Sequence, residues 1–394
     1  MSAARIIELT EYQSARFAPV EIPVELGKML FDHYRSQIGV EFPTPKTDNQ
    51  WELTSQGWVG HIPLTPEFHI SLHPKVALHN LFRMLEIAYR LDFKILEGLV
   101  DCESLQEFYE RLANILARRV LDRGRKGFYR TYLPHTEELP YVRGRLDVRS
   151  AVRSPGQVKL ACHYQEHTVD VEENQILVWT LLSIIRSGQC SERVLPAIRQ
   201  AYRLLHGPVT VQQHHAQSCV NRLYNRLNDD YQPLHALCRF FLEQSGPGHQ
   251  VGNRRMLPFL VNMARLYEQF VAEWLGANSP PNLKLKKQEK VIIGQSGALQ
   301  FVIDLVLNDA ETGATRYVLD TKYKAPDTPA ATDIQQMISY AHTKDCREAI
   351  LIYPTPLKSP FDETIRGIRV RSLTFALDGD LDEAGRALVD SLLQ

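Results

Sequence analysis

The stretch Phe301-Val302-Ile303-Asp304-Leu305-Val306-Leu307, followed after a turn region by Tyr317-Val318-Leu319-Asp320-Thr321-Lys322-Tyr323-Lys324, decides the fold of the C-terminal part of the chain. Both runs read as apolar strands, and each carries one carboxylate in its interior. Charged side chains are rarely buried unless paired or ligated, so each carboxylate asks for a partner. Alternation along a strand points Asp320 and Lys322 to one face, and Asp304 on an adjoining strand reaches that face if the register is right.

Two carboxylates converging on one point make a site for a hard divalent cation, Mg²⁺ with Mn²⁺ as the alternative ion, held by few protein oxygens. Such an ion polarises a phosphodiester and lowers the pKa of a bound water. The Lys322 ammonium would orient the attacking water or offset charge on the phosphorus oxygens. The bland reading of the same spacing is a pair of strand-end charges at solvent, matched by Lys322 and Lys324.

Two neighbouring segments shift the balance toward chemistry. In Met263-Ala264-Arg265-Leu266-Tyr267-Glu268, part of one long helix expected from Leu257 to Leu275, Glu268 lies beside an apolar face outlined by Leu260, Met263, Ala264, Tyr267 and Val271. It is a candidate third carboxylate near the metal. A helix expected over 332–342 places Gln336 and Tyr340 on one face, where an amide and a phenol would bind phosphate or the lysine, or else cap the sheet.

Around this core the expected elements are strands at 290–293, 299–307, 316–323, 349–353 and 367–373 with a closing helix, an α/β arrangement with partly parallel pairing. Residues 1–75 read as short β structure, 76–93 as an amphipathic helix, and Ser104 with Glu107 as the capping box of another helix ending near Gly124. Extended chain follows Tyr129, with Gly144 suited to a turn or bulge, and helix dominates from Glu173 to Phe241. Gly246-Pro247-Gly248-His249-Gln250-Val251-Gly252-Asn253 is the strongest linker signal. The expected division is 1–155 as a partner- or DNA-binding region, 156–250 as a helical connector and 251–394 as the catalytic domain.

Composition bounds the remaining classes. The 394 residues carry 45 Lys plus Arg against 46 Asp plus Glu, so net charge is uninformative, while 44% hydrophobic and 23% charged residues mark a folded chain. No apolar run reaches the roughly 18 residues of a membrane span, and Glu8 interrupts any secretory leader, so a cytoplasmic protein without membrane contact is expected. The six Cys lie far apart without a CxxC pair and read as reduced, packed thiols. His214-His215 and the Cys162, His163 and His167 group lack zinc-ligand spacing. There is no GxSxG and no GxxxxGK[ST] loop, which disfavours serine-hydrolase chemistry and nucleotide hydrolysis by this chain alone.

The ordered set Glu268, Asp304, Asp320-Thr321-Lys322 and Gln336-x-x-x-Tyr340 resembles the PD-(D/E)xK nuclease superfamily in its RecB-like branch, with Ile303 replacing the usual proline. Further blocks resemble the McrC family in order: Gly57-Trp58-Val59-Gly60-His61-Ile62 with His73-Pro74-Lys75-Val76, Arg123-Gly124, Val142-Arg143-Gly144-Arg145-Leu146, Cys162-His163-Tyr164, and Thr168-Val169-Asp170-Val171-Glu172-Glu173-Asn174-Gln175-Ile176-Leu177. Together they run from about residue 55 to residue 353 and cover most of the chain.

The resemblance implies an α+β and α/β multidomain protein: a small β-rich and helical N-terminal region, a helical connector and a C-terminal restriction-endonuclease-like core. It implies a metal-dependent endonuclease subunit acting on double-stranded DNA, recruited by a McrB-like AAA+ GTPase whose hydrolysis the N-terminal region stimulates. Asp304 and Asp320 would hold the metal, Lys322 and Glu268 would complete the catalytic set, and Gln336, Tyr340, Lys286 and Lys287 would contact substrate.

The competing reading is a non-catalytic DNA- or partner-binding regulator whose carboxylates no longer converge. Arg111, Arg118, Arg119, Arg123, Arg125, Lys126 and Arg130, extended by Arg143, Arg145, Arg149 and Arg153, form a basic stripe that would meet phosphates or an acidic protein surface, or remain a solvated face. Lys284, Lys286, Lys287 and Lys290 form a second patch, closer to the expected metal.

Overall fold

The computed structural model describes residues 5–91, 102, 104–148, 158–244, 249–251, 254–256, 258–293, 299–324 and 326–394. Its contacts divide the chain into two compact units, Met1–Phe108 with Gly246–Gln394, and Tyr109–Ser245. The expected boundaries at 155 and 250 follow chain order, whereas backbone pairing joins the N-terminal sheet to the C-terminal part. Of the glycine-rich linker, residues 246–248 and 252–253 lie outside the described residues.

The N-terminal part comprises β1 (Arg5–Thr10), β2 (Ser14–Phe17), α1 (Val24–Tyr34), β3 (Ile38–Glu41), β4 (Trp51–Ser55), β5 (Trp58–Thr65), β6 (Phe68–His73) and α2 (Leu78–Tyr89). Helix α1 was not expected within this β-rich stretch; it buries Leu30 and Tyr34 and carries Gly27 against the Trp51 ring, where a Cβ would fall 2.2 Å from the indole. β2, β4 and β3 form a small antiparallel sheet, and β1 runs parallel to β6, which pairs antiparallel with β5.

The second unit holds most of α3 (Leu105–Lys126), then β7 (Thr131–Leu139), β8 (Arg145–Leu146), β9 (Leu160–Thr168), α4 (Glu172–Ser187), α5 (Leu195–His206) and α6 (Tyr231–Glu243). The Ser104 hydroxyl accepts from Glu107 N at 3.1 Å, capping α3 as its sequence suggests. Gly144 adopts φ +70° beside the His163 carbonyl, where a side chain would collide. Part of the basic stripe is matched internally: Arg123 pairs with Asp230 at 3.3 Å, and Arg143 lies 3.9 Å from the Tyr164 ring centroid. Arg149 and Arg153 lie outside the described residues.

The C-terminal part begins with β10 (His249–Val251), β11 (Arg254–Met256) and β12 (Phe259–Asn262), continues through α7 (Met263–Asn278), β13 (Leu283–Ile293), β14 (Leu299–Asp309), β15 (Thr315–Thr321), α8 (Ala331–Thr343) and β16 (Glu348–Tyr353), and ends with β17 (Asp362–Ile365), β18 (Ile368–Thr374) and α9 (Leu381–Leu392). The long helix expected from Leu257 is corrected here: Phe259–Asn262 is a strand, and the helix starts at Met263 because the Asn262 side chain caps it by accepting from Arg265 N at 3.0 Å. Ala264 is exposed, so the buried face of α7 is instead Met263, Leu266, Tyr267, Phe270, Val271 and Trp274.

The six-stranded sheet has the order β13-β14-β15-β16-β18-β17, with β15, β16 and β18 parallel and the rest antiparallel. α8 packs Met337, Tyr340 and Ala341 into a core with Val306, Val318, Ala349, Leu351 and Val370. Among the described residues no helix is long and apolar enough to cross a membrane.

β12 pairs antiparallel with β5, setting Leu260 opposite Gly60, and Gly60 is held at φ +139° with the Phe259 carbonyl where its Cβ would stand, 2.1 Å away. Gly60→Ala should therefore break this seam, with a loss of about 2–4 kcal/mol. Thermal unfolding of the variant should show a clear fall in Tm; an unchanged Tm would contradict the β5–β12 pairing.

Candidate active site

The β14–β15 ladder places Leu307 opposite Tyr317, Val306 opposite Val318 and Leu305 opposite Leu319, and ends there. The next opposed positions are Asp304 and Asp320, so the two carboxylates sit where the strands part, on one sheet face by alternation. At this fork Thr321 N donates to Asp304 Oδ2 at 3.4 Å. Asp320 is 3% exposed, and its Oδ2 lies 2.8 Å from Lys322 Nζ in an ion pair without hydrogen-bond geometry.

Lys322 also stands 3.6 Å from Asp333, in the first turn of α8. Burial works against its charge, but Asp320, Asp333 and Asp304 outweigh that, and its pKa is raised above the ordinary lysine value. Lys322 therefore remains an ammonium at neutral pH, suited to orienting and neutralising rather than to removing a proton.

The carboxylates disfavour one another's ionisation. Burial first, then Asp320 and Glu268, push Asp304 up to about 7. Burial also raises Asp320 against the opposing pull of Lys322. Glu268, reaching from α7, is raised by burial and by Asp320, while a hydrogen bond from Gln288 Nε2 to its Oε1 opposes the shift.

Gln288 carries no signal in the sequence pattern. It adopts φ +50°, between the Lys287–Leu305 and Glu289–Ile303 pairs of β13 and β14, so the β13 position opposite Asp304 carries the side chain that fixes Glu268. Asp333 and Tyr353 are equally silent, because their closeness to Lys322 and Asp320 arises only once α8 and β16 are docked. The one local signal was Asp333 in a helical first turn, a common position for an acid that serves only the helix dipole.

Gln336 donates to the Tyr340 hydroxyl at 2.6 Å, and that hydroxyl donates to the Val302 carbonyl at 3.1 Å. Tyr340 thus fastens α8 to β14, and the amide of Gln336 is oriented through it. Lys286 pairs with Glu289 at 3.5 Å and Lys287 with Glu273 at 2.9 Å, whereas Lys284 and Lys290 are exposed on the same strand.

Three buried polar atoms on β15 and the adjoining end of β16 have no hydrogen-bond partner: Asp320 Oδ2, Thr321 Oγ1 and Tyr353 Oη. Asp320 Oδ2 meets only the Lys322 ammonium, so two unpartnered hydroxyls beside mutually repelling carboxylates make an oxygen-rich donor set that fits a hard divalent cation. Among the described residues no three His, Cys, Asp or Glu side chains stand together as a complete metal cage. The fit therefore rests on Asp304 and Asp320 as a two-carboxylate site, the form Mg²⁺ takes when water and phosphate complete its shell.

A family model described as McrBC 5-methylcytosine restriction system component matches residues 53–354 of this chain. The type IV methyl-directed restriction enzyme EcoKMcrBC of Escherichia coli (strain K12) is 25% identical over 207 residues, 51% of this chain, and the match spans 59% of that relative's length. A solved structure described as a refined half-complex from a tetradecameric assembly of Thermococcus gammatolerans McrB AAA+ hexamers with bound McrC is similar at a TM-score of 0.56 and 16% identity, covering 98% of this chain and 100% of that one. This last likeness is one of fold.

The charge arrangement sets the pH dependence of stability. With the folded pKa of Asp304 at about 7, above the unfolded value, its contribution is full below about pH 4 and is lost as pH rises through 7. In a chelating buffer at pH 8, Asp304→Asn should raise Tm by several degrees and flatten the decline between about pH 4 and 7. The neutral amide still accepts from Thr321 N. A variant less stable than wild type under these conditions would contradict the half-buried, repelled carboxylate.

Proposed function

The chain belongs to the McrBC family of 5-methylcytosine restriction system components, and from that membership we propose that it is the McrC-type nuclease subunit of a modification-dependent restriction system. It cleaves double-stranded DNA with Mg²⁺ or Mn²⁺, acts in the cytoplasm, and is recruited by a McrB-like AAA+ GTPase whose hydrolysis it stimulates. The observation that carries this reading is the strand fork: Asp304 opposite Asp320, with Lys322 at 2.8 Å from Asp320. A regulator that had lost catalysis would have no reason to keep a buried and a half-buried carboxylate and an ammonium gathered against the carboxylates' own repulsion.

The sheet and its flanking helices support a PD-(D/E)xK core within residues 251–394. In the same proposal residues 1–155 serve partner and DNA binding, and residues 156–250 connect the two. Asp304 and Asp320 would hold the metal ion. When bound, that ion polarises the scissile phosphate and makes a nucleophile available at neutral pH.

Lys322, permanently charged, orients the attacking water and offsets charge on the non-bridging oxygens. Asp333 keeps its ammonium from collapsing onto Asp320 alone. Glu268, held by Gln288, would stand as a third carboxylate beside Asp304 and Asp320 and help orient the attacking water. Gln336 presents its amide toward substrate from a helix that Tyr340 locks in place, while Lys284, Lys286 and Lys290 form a row on one face of β13 for the DNA backbone and Lys287 lies on the other face against Glu273. Phosphate contacts of this kind make binding weaken with salt.

Asp320→Ala and Lys322→Ala should each lower DNA cleavage by more than about 100-fold, the range expected when a transition-state charge contact is removed. Folding and AAA+ partner binding should be retained, as judged by thermal unfolding and co-purification. Wild-type cleavage rates in either variant would remove the proposed active site.

A further inference from the structure

The chain leaves β15 at Thr321, and Lys322 is the first residue beyond it. Its backbone N is still tied to the Ile352 carbonyl at 2.9 Å. The next side chain, Tyr323, passes its hydroxyl to Glu11 Oε2 at 3.0 Å, a contact spanning 312 residues of sequence.

Glu11 is set at the end of β1. Its backbone N donates to the His73 carbonyl at 2.9 Å, extending the β1–β6 ladder by one position. The residue is 0% exposed, its Oε2 also accepts from Lys75 N at 3.4 Å, and its Oε1 is buried without a hydrogen-bond partner. A buried carboxylate that is only half satisfied is a poor choice if stability alone is served, since an apolar side chain would fill the space without desolvation cost.

The surroundings show what it serves. The Tyr323 ring centroid lies 6.4 Å from that of Tyr12 and 5.9 Å from that of Tyr267, and Tyr12 has Lys75 and Lys324 ammonium groups 5.4 and 5.5 Å from its ring centre. Tyr267 directly precedes Glu268 and Tyr323 directly follows Lys322. The two tyrosines that pack together thus each neighbour a charged group of the site.

We propose that Glu11 is a positioning residue for the phosphodiester chemistry: by accepting the Tyr323 hydroxyl it fixes the chain leaving β15, and with it the ammonium of Lys322 against Asp320. The inference rests on the nuclease reading above and extends it, because it makes the end of the first strand part of the support of the active site. Misplacement of a reacting group by about 1 Å costs on the order of 100-fold in rate, so a lost anchor one residue from Lys322 is felt in the chemical step.

The test is single-turnover cleavage of double-stranded DNA by the full chain with its AAA+ partner in Mg²⁺, with DNA affinity measured separately. Tyr323→Phe, which removes one hydroxyl, and Glu11→Leu should each lower the cleavage rate constant by about 10-fold or more with DNA affinity unchanged. The double variant should be no slower than the slower single variant. Glu11→Gln, which keeps a carbonyl oxygen for the Tyr323 hydroxyl, should recover most of the rate.

Additive losses, an effect on DNA affinity alone, a wild-type rate in Tyr323→Phe, or a Glu11→Gln variant as slow as Glu11→Leu would each overturn the proposal. A wild-type rate that survives Asp320→Ala would instead remove the nuclease reading itself, and the positioning role with it.

Discussion

The constraint on which the site depends is the pairing register of β14 and β15. An antiparallel ladder that ends at Leu305 and Leu319 makes Asp304 and Asp320 the next opposed residues, where the backbone pairing of the two strands stops. A slip of one residue would turn one carboxylate to the other face of the sheet. The apolar neighbours Val306 and Val318, both buried in the core under α8, hold that register.

Everything else around the fork either tolerates or relieves the charge gathered there. Lys322 and Asp333 supply an ion pair on one side, and Gln288 secures Glu268 on the other. Tyr340 fastens α8 to the carbonyl of Val302, two residues before Asp304, so the helix that covers the core also braces the strand bearing the carboxylate. The N-terminal sheet is joined to this part by the β5–β12 seam and by Glu11. One compact unit therefore contains both the first strand of the chain and the proposed catalytic strands.

Legibility in the sequence followed the range of the interaction. Asp304, Asp320 and Lys322 stood out because a charge inside an apolar run violates local patterning. Strands β14, β15 and β16 and helix α8 were likewise visible from periodicity. Residues 259–262 read as helix in the sequence because Leu260 continues the apolar spacing of α7; what makes them a strand is Gly60, 200 positions before Leu260, whose missing side chain admits the Phe259 carbonyl. Helix α1 was hidden in a β-rich stretch because its packing partner, Trp51, comes later in the chain. Gln288 gave no signal, since a positive φ at a glutamine is imposed by the sheet. Glu11 looked like an ordinary acidic residue after a short strand, and only the folded chain brings Tyr323 to it.

Nuclease chemistry at this site requires the Asp304–Asp320 fork to hold a divalent cation. The most direct measurement is the binding of Mn²⁺ to the full chain, followed by electron paramagnetic resonance, in wild type and in the Asp304→Ala and Asp320→Ala variants. Wild type should bind an ion that each variant loses or binds at least about 10-fold more weakly. Equal Mn²⁺ binding by wild type and both variants would contradict it.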